Sequence, residues 1–274
     1  MTKTVFITGA SSGIGKASAR LFHEKGWNVV ATMRKPEAGA ELQQLPNVLV
    51  TRLDVEEKES IGAAISAGVE RFGGIDVLVN NAGYGLYGIF ESIPEEKLQQ
   101  QFNVNVFGVM DTVRAALPHF RRQGNGTIIN VSSGAGHFTL PMISAYCASK
   151  FALEGFSEAL SYELLALGIG VKLVIPHGGV GETSFQKRAA DDFANEGTPT
   201  DYRPFLERST AAFARMGGAL TMTSRDVANV VHEAATDGTS RLRYFVGDDA
   251  RGFIKARHEM ADQDYVDFMR SHFA

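Results

Sequence analysis

Two side chains four positions apart, Tyr146 and Lys150, could together transfer a proton. They lie in an amphipathic segment with a helical pattern, and four residues make just over one helical turn, so the phenol and the ammonium project from one face. Free tyrosine has a pKa of about 10 and is a poor base at neutral pH. A cation about 4 Å away at an effective dielectric near 20 is worth about 4 kcal/mol, or roughly three pKa units, although desolvation opposes the shift. We therefore expect Lys150 to lower the pKa of Tyr146 toward neutrality, where proton transfer works best.

A glycine-rich stretch near the N-terminus could hold phosphate groups. It contains Gly9, Gly13 and Gly15, follows a β-branched run and precedes a helical pattern. Gly9 lets the chain turn sharply off the strand, Gly13 permits close approach of a pyrophosphate, and Gly15 lets the helix press on the sheet. The helix N-terminus then offers N–H groups and a partial positive charge. Strand, turn and helix in this order predict a dinucleotide site rather than a simple tight turn.

The elements that must position these groups alternate along the chain. Short β-branched runs take turns with longer amphipathic segments, which is the pattern of a parallel sheet built through right-handed crossovers. Seven strands are predicted, at 4–8, 29–32, 48–53, 77–80, 127–132, 171–175 and 244–246. Apolar residues at three- and four-residue spacing predict helices at 14–25, 57–72, 104–122 and 145–167. The sequence thus predicts an α/β protein with a doubly wound, seven-stranded parallel sheet, a Rossmann fold.

Residues 1–274 are expected to form a single domain, because no internal repeat, linker or low-complexity segment separates a second one. Residues from about 184 to 220 hold charged, helix-like pieces, and predict a helical substrate lid over the C-terminal edge of the sheet, where ligands of open α/β sheets bind. The C-terminal extension, about 248–274, is aromatic and charged. It is predicted either to pack as a helix on the same subunit or to contact a neighbouring one.

Composition excludes several classes of partner. The net charge is −4, and Lys and Arg are spread among Asp and Glu, so no basic stripe for nucleic acid is present. The apolar runs are far shorter than the about 20 residues that span a bilayer, and no signal-peptide pattern is visible, so a cytoplasmic protein without membrane contact is expected. The only cysteine, Cys147, cannot form an intrachain disulfide and is interpreted as a buried packing residue. The seven histidines show no metal-ligand spacing, so no metal is expected.

The spacing Gly-x-x-x-Gly-x-Gly over 9–15, together with Tyr146-x-x-x-Lys150, resembles the short-chain dehydrogenase/reductase family. The resemblance runs from residue 4 to about 183 and returns near 224–246. It implies hydride transfer between a nicotinamide cofactor and a carbonyl or secondary alcohol, with Tyr146 as general acid/base. The positive nicotinamide ring of the oxidised cofactor is expected to help Lys150 lower the Tyr146 pKa, and Lys150 is also expected to bind the nicotinamide ribose. The implied cofactor contacts in the glycine-rich turn and at the ends of the third and fourth strands are Gly9, Ser11, Ser12, Gly13, Ile14, Gly15, Asp54, Val55, Asn81, Ala82 and Gly83.

Two further catalytic residues are implied by the same resemblance. Ser133, thirteen residues before Tyr146 and at a predicted strand end, matches the serine that hydrogen-bonds the substrate oxygen. Ser132 beside it should face the other way, since side chains alternate along a strand. Asn105 resembles the family's asparagine, which steadies a water linking the lysine to solvent, and Asn103 is the rival candidate.

The loop after the sixth strand departs from the family pattern. His177 stands where the family's proline aligns, and Pro176 falls one place earlier, which leaves the path of the loop open. Val180 and Thr183 remain candidate cofactor contacts. His177 is interpreted as a turn residue, with a substrate contact as the alternative.

The end of the second strand decides which dinucleotide is preferred, because the loop there meets the 2′ position of the adenosine ribose. An NAD enzyme needs a carboxylate at this position, whereas this chain has Met33 followed by Arg34 and Lys35. Arg34 can pair a 2′-phosphate through charge-assisted hydrogen bonds of roughly 1.5–3 kcal/mol each, and one such bond gives about tenfold preference. The sequence therefore predicts NADP(H), with Ser12 and Lys35 as assisting candidates.

The predicted substrate is a hydrophobic small molecule. The segment 146–156 resembles the branch with 17β-hydroxysteroid and retinol dehydrogenases and bacterial carbonyl reductases. Apolar candidates suit a hydrophobic ketone or alcohol, although they could equally be packing under the lid. These candidates are Phe138, Leu140, Met142, Ile143 and Phe185.

Assembly and rival functions can also be weighed. The predicted helices 104–122 and 145–167 are apolar on more than one side, and family members pair such helices across a two-fold axis, so a homodimer or homotetramer is expected. A non-catalytic NADP(H)-binding sensor is the alternative function, but it should lack one of Ser133, Tyr146 or Lys150, and all three are present. A sugar-nucleotide epimerase or dehydratase would have a different glycine spacing and a larger C-terminal domain.

Overall fold

Seven parallel strands form one sheet in the computed structural model of the protein, which describes residues 2–177, 179–180, 198–216, 222–248 and 251–273. The strands are β1 (Thr4–Ile7), β2 (Asn28–Met33), β3 (Val48–Arg52), β4 (Val77–Asn80), β5 (Gly126–Val131), β6 (Ile169–Pro176) and β7 (Arg243–Val246). Their order is β3-β2-β1-β4-β5-β6-β7. The direction of winding reverses between β1 and β4, which creates the crevice where open α/β sheets bind ligands. The predicted fold class is confirmed.

Helices cover both faces of the sheet. The described helices are α1 (Gly13–Glu24), α2 (Ala40–Gln43), α3 (Lys58–Phe72), α4 (Glu95–Phe102), α5 (Gly108–Gln123), α6 (Ser144–Leu164), α7 (Arg203–Met216), α8 (Ser224–Thr236), α9 (Phe253–Glu259) and α10 (Asp262–Ser271). Because side chains alternate along a strand, Val5 and Ile7 enter one apolar cluster with α1 and α8, while Phe6 enters another with α3, α5 and α6. Both faces of the sheet are therefore covered by helices and shielded from water, as is typical of parallel sheets.

The helix predicted at 104–122 is interrupted in the structure. The chain runs through α4, then a π-helical turn at Asn103–Phe107, and only then into α5. At the start of α5 a Cβ on Gly108 would lie 2.7 Å from the Cβ of Val55, so this residue lets the helix approach the loop after β3. Helices α2, α4 and α8 were not predicted. For α8 a signal was present, since Thr223 and Asp226 form a capping box.

The predicted lid and C-terminal extension are described in part. Within 198–216, the Tyr202 hydroxyl donates to Glu91 Oε2 at 3.0 Å and so ties the start of α7 to the body of the protein. In the extension, Phe253 packs edge-on against Phe138 at 5.4 Å between ring centroids. The extension thus packs on its own chain, the first of the two alternatives. The single-domain organisation and the lid assignment stay predictions.

Neither a membrane span nor a metal cluster is found in the part of the chain that the structure describes. No helix there has the length and apolar character needed to cross a bilayer. Nor do three or more His, Cys, Asp or Glu side chains gather there in a way that could hold a metal ion.

Candidate active site

A cavity of about 480 Å³ opens at the C-terminal ends of the central strands. Its position matches the crevice created by the reversal of winding between β1 and β4. Predicted residues of the glycine-rich turn and the ends of β2, β3 and β4 line it, namely Gly9, Ser11, Ser12, Gly13, Ile14, Arg34, Asp54, Val55, Asn81, Ala82 and Gly83. Predicted residues from the end of β5, from α6 and from the loop after β6 line it too, namely Ser133, Tyr146, Lys150 and Val180. The structure thus brings residues far apart in the sequence into one cavity.

Among the described residues, three predicted site residues do not line this cavity. Gly15 lies behind the turn, where a Cβ would overlap the carbonyl oxygen of Gly9, so its contribution is close packing. Asn105 is buried behind the wall. Lys35 is exposed and lies outside the lining. Thr183 falls outside the described residues.

The glycine-rich turn has the geometry of a phosphate cradle. Gly9 and Gly13 have φ angles of 70° and 52°, in the left-handed region that side chains disfavour. Ser12, the N-cap residue of α1, makes no side-chain hydrogen bond to the helix backbone, so the first N–H groups of α1 remain suited to an anion. The residues present therefore fit the pyrophosphate of a dinucleotide.

Asn81 holds this turn from the neighbouring strand. Its Nδ2 donates to the carbonyl oxygens of Thr8 at 3.0 Å and Gly9 at 3.1 Å. The Thr8 hydroxyl in turn accepts from the backbone N–H groups of Asn81 and Ala82, both at 3.0 Å. Asn81 thus orients the cradle, a structural role beyond the predicted cofactor contact.

No acidic side chain stands at the end of β2. Both Met33 and Arg34 line the cavity, but Met33 is only 2% exposed and packs into the core, whereas Arg34 is exposed. Among the described residues Arg34 forms no ion pair. Acidic side chains line the cavity instead from the end of β3, where Asp54 Oδ1 accepts from the backbone N–H of Glu56 at 3.2 Å.

The predicted catalytic side chains meet between the end of β5 and α6. Lys150 Nζ donates to the carbonyl oxygen of Val131 at 2.9 Å and lies 5.9 Å from the centroid of the Tyr146 ring. Ser133, two residues beyond Val131, forms a hydrogen bond with the Tyr146 phenol. Both Tyr146 and Lys150 are 6% exposed. A hydroxyl, a phenol and an ammonium therefore converge on one side of the cavity.

Burial, rather than mutual attraction, dominates the charge state of this pair. Burial raises the pKa of Tyr146 well above its usual value, and the hydrogen bond from Ser133 opposes only part of that rise. Burial likewise lowers the pKa of Lys150 to about 8, against the attraction of Glu154. Lys150 by itself therefore does not give the predicted lowering of the Tyr146 pKa, because desolvation of the phenolate dominates.

Asn105, rather than Asn103, reaches α6. Asn105 is 1% exposed, and the π-helical turn directs its Nδ2 to Ser149 Oγ at 3.2 Å, one position before Lys150. Its amide also pairs with the backbone of Tyr84, at 3.1 Å to the N–H and 2.9 Å to the carbonyl oxygen. Asn103 Oδ1 instead accepts from Gln99 Nε2 at 2.9 Å, in an exposed contact with α4.

The loop after β6 continues the cavity wall. His177 is 7% exposed, its backbone N–H donates to the Val246 carbonyl oxygen at 2.9 Å, and it lines the cavity. A substrate contact by His177 stays a prediction. Val180 forms an isolated parallel bridge with Met222.

Part of the predicted apolar wall is present. Phe138, Leu140 and Ile143 line the cavity, joined by Tyr87, which the sequence analysis missed because no pattern marks it. Met142 instead lines a separate depression on the surface. Phe185 lies outside the described residues.

Comparison with known proteins identifies the family. The model of the short chain dehydrogenase family matches residues 3–193. The chain therefore belongs to the short-chain dehydrogenase/reductase family of oxidoreductases.

Three relatives illustrate the range of the sequence similarity. The oxidoreductase YusZ of Bacillus subtilis is 36% identical over 258 residues, which cover 89% of this chain and 89% of that protein. The 3-ketodihydrosphingosine reductase of Bacteroides thetaiotaomicron is 41% identical over 172 residues, 63% of this chain and 62% of that protein. Human retinol dehydrogenase 8 is 40% identical over 185 residues, 64% of this chain and 58% of that protein.

Two solved structures carry different dinucleotides. A short-chain dehydrogenase/reductase of Burkholderia phymatum in complex with NAD has a TM-score of 0.79 at 27% identity, covering 94% of this chain and 93% of that one. ElxO with NADP bound has a TM-score of 0.72 at 26% identity, covering 89% of this chain and 98% of that one. Structural similarity therefore indicates a nicotinamide dinucleotide without choosing between the two.

Proposed function

We propose that the protein is an NADP(H)-dependent oxidoreductase that interconverts a carbonyl group and a secondary alcohol on a hydrophobic small molecule. One observation carries the proposal: Ser133, Tyr146 and Lys150 line the same cavity as the glycine-rich turn. A proton donor, a hydroxyl for the substrate oxygen and a cation thus share a cavity with a phosphate cradle.

In the reduction direction this chain handles the proton and the oxygen. A bound nicotinamide cofactor supplies hydride to the carbonyl carbon. Tyr146 keeps its proton because burial disfavours the phenolate, and it delivers that proton to the substrate oxygen as a general acid. Ser133 Oγ donates to the same oxygen as its negative charge develops. Lys150, held by the Val131 carbonyl, presents its ammonium beside the phenol and would bind the nicotinamide ribose.

The preference for NADP(H) rests on Arg34. This exposed guanidinium lines the cavity at the end of β2, where an NAD enzyme needs a carboxylate, and Met33 offers none. A 2′-phosphate there would gain charge-assisted hydrogen bonds.

The hydrophobic substrate is supported by the wall beside Tyr146. Tyr87, Phe138, Leu140 and Ile143 all line the cavity there. One relative is named as a reductase of 3-ketodihydrosphingosine, and another is named as a dehydrogenase of retinol. An apolar surface next to one proton donor suits a carbonyl on an otherwise apolar molecule.

The test follows NADPH absorbance with a panel of apolar ketones, and NADP⁺ reduction with the matching alcohols. Tyr146→Phe should keep its affinity for NADPH and lose most of kcat, because only the transferable proton is removed. Tyr162→Phe is the matched control, since Tyr162 lies on the same helix and is 69% exposed. Near-normal turnover by Tyr146→Phe would refute the assignment, and NADPH binding by the unaltered protein without any turnover would favour a cofactor sensor.

A further inference from the structure

Glu154 is a buried carboxylate that the mechanism above leaves unused. It is 5% exposed and lies on α6 one turn beyond Lys150, just as Lys150 lies one turn beyond Tyr146. The three side chains therefore form one stripe along α6. A carboxylate is costly to bury unless it is paired and hydrogen-bonded, so its position here calls for specific partners.

Three consecutive residues at the end of β5 each bond one member of this stripe. The pairs are Val131 with Lys150, Ser132 with Glu154, and Ser133 with Tyr146. In the middle pair Ser132 Oγ donates to Glu154 Oε1 at 3.0 Å. Glu154 thus holds Ser132, which lies between the partner of Lys150 and the partner of Tyr146. Ser132 turns away from the phenol, as strand alternation predicts.

The turn after β5 also closes on this carboxylate. A Cβ on Gly136 would lie 2.8 Å from Glu154 Oε1, 2.9 Å from Ser132 Oγ and 3.1 Å from the carbonyl oxygen of Lys150. Only a glycine leaves room for the carboxylate here. The packing therefore places the charge of Glu154 in a confined space beside the backbone of Lys150.

Other charged and titratable groups also face Glu154. From β7, Arg243 Nε donates to Glu154 Oε2 at 3.2 Å, and its other end binds Glu158 at 2.5 Å. From the turn after β5, His137 Nδ1 lies 3.8 Å from Glu154 Oε2, and His137 Nε2 lies 2.8 Å from His258 Nε2 on α9. Arg243 therefore shares its charge between Glu154 and Glu158, while Lys150 lies one turn from Glu154 on the same stripe of α6.

We propose that Glu154 is a positioning residue that keeps Lys150 protonated and holds the end of β5 against α6 during catalysis. The inference rests on the proposed function, because Lys150 matters only where cofactor and substrate bind. Burial lowers the pKa of Lys150 to about 8, and the attraction of Glu154 opposes that fall. Without the carboxylate, Lys150 would lose its proton at a lower pH.

The test compares Glu154→Gln with Glu158→Gln. Both carboxylates lie on α6 and bind Arg243, but the Glu158 side chain is 40% exposed and one turn farther from Lys150. Two quantities are measured against pH for each: kcat/KM for ketone reduction with NADPH, and the Kd of NADPH from its fluorescence. We expect the alkaline midpoint of both profiles to move toward acid by about one pH unit or more in Glu154→Gln. Glu158→Gln should keep the midpoint of the unaltered protein.

The outcomes separate positioning from simple structural support. Midpoints unchanged in a folded Glu154→Gln would overturn the proposal, and so would an equal loss of activity at every pH. Glu154→Asp keeps the charge and should return the midpoint toward its original value, which covers the case of a poorly folded Gln variant. If the unaltered protein reduces no ketone, that result contradicts the proposed function but not the role of Glu154. The role of Glu154 is then tested by the pH dependence of the Kd of NADPH.

Discussion

Arg34 offers the sharpest test of cofactor choice. Its guanidinium is exposed, lines the cavity and has no ion-pair partner among the residues that the structure describes. A hydrogen bond to a charged group contributes about 1.5–3 kcal/mol, and because solvent screens an exposed guanidinium we take the lower end. About 1.5 kcal/mol corresponds to roughly tenfold in binding. Arg34→Gln removes the charge with little change in length, so kcat/KM with NADPH should fall about tenfold.

The assay measures steady-state kinetics with NADPH and NADH on one ketone. NADH has no 2′-phosphate, so its kcat/KM should stay within about twofold in Arg34→Gln. Arg121→Gln is the control, because Arg121 is an exposed arginine in the last turn of α5 and lies outside the cavity. An equal loss with both cofactors would show that Arg34 does not read the 2′ position, and a higher kcat/KM with NADH in the unaltered protein would overturn the NADP(H) assignment.

Two further predictions concern stability. Burial opposes ionisation of Asp237, but its hydrogen bonds with Lys172, Tyr244 and Thr239 outweigh burial and hold its pKa well below the usual range. Because the pKa of Asp237 is lower in the folded than in the unfolded protein, its carboxylate stabilises the fold at pH values above the unfolded value of about 4, and this contribution is lost as the pH falls further. The difference in Tm between the unaltered protein and Asp237→Asn should therefore be largest at neutral pH and should narrow below about pH 4. A gap independent of pH would contradict this. Gly9→Ala should cost roughly 1–2 kcal/mol in urea unfolding and weaken NADPH binding, because φ is 70° and the new Cβ would lie 2.9 Å from the Cα of Ala82. Unchanged stability and affinity would count against the predicted role of the turn.

Local patterns were enough to predict the architecture. The β-branched runs marked all seven strands, because strands buried on both faces read as short apolar segments. Helical periodicity also placed Tyr146 and Lys150 on one face of α6. Periodicity could not find the π-helical turn at Asn103–Phe107. The turn is followed by a tertiary contact, that of Gly108 with the loop after β3, and the local pattern carries no signal for such a contact.

The sequence by itself determined which residue types stand at which spacing, and with them the phosphate cradle, the tyrosine–lysine pair and the family. Tertiary structure decided how deeply Tyr146 and Lys150 are buried, and so reversed the expected direction of the tyrosine's pKa. It also decided that Glu154 meets Arg243, which lies 89 positions away in the chain. Solvation and charge pairing depend on what packs against a side chain from distant segments, and spacing along the chain carries no record of that.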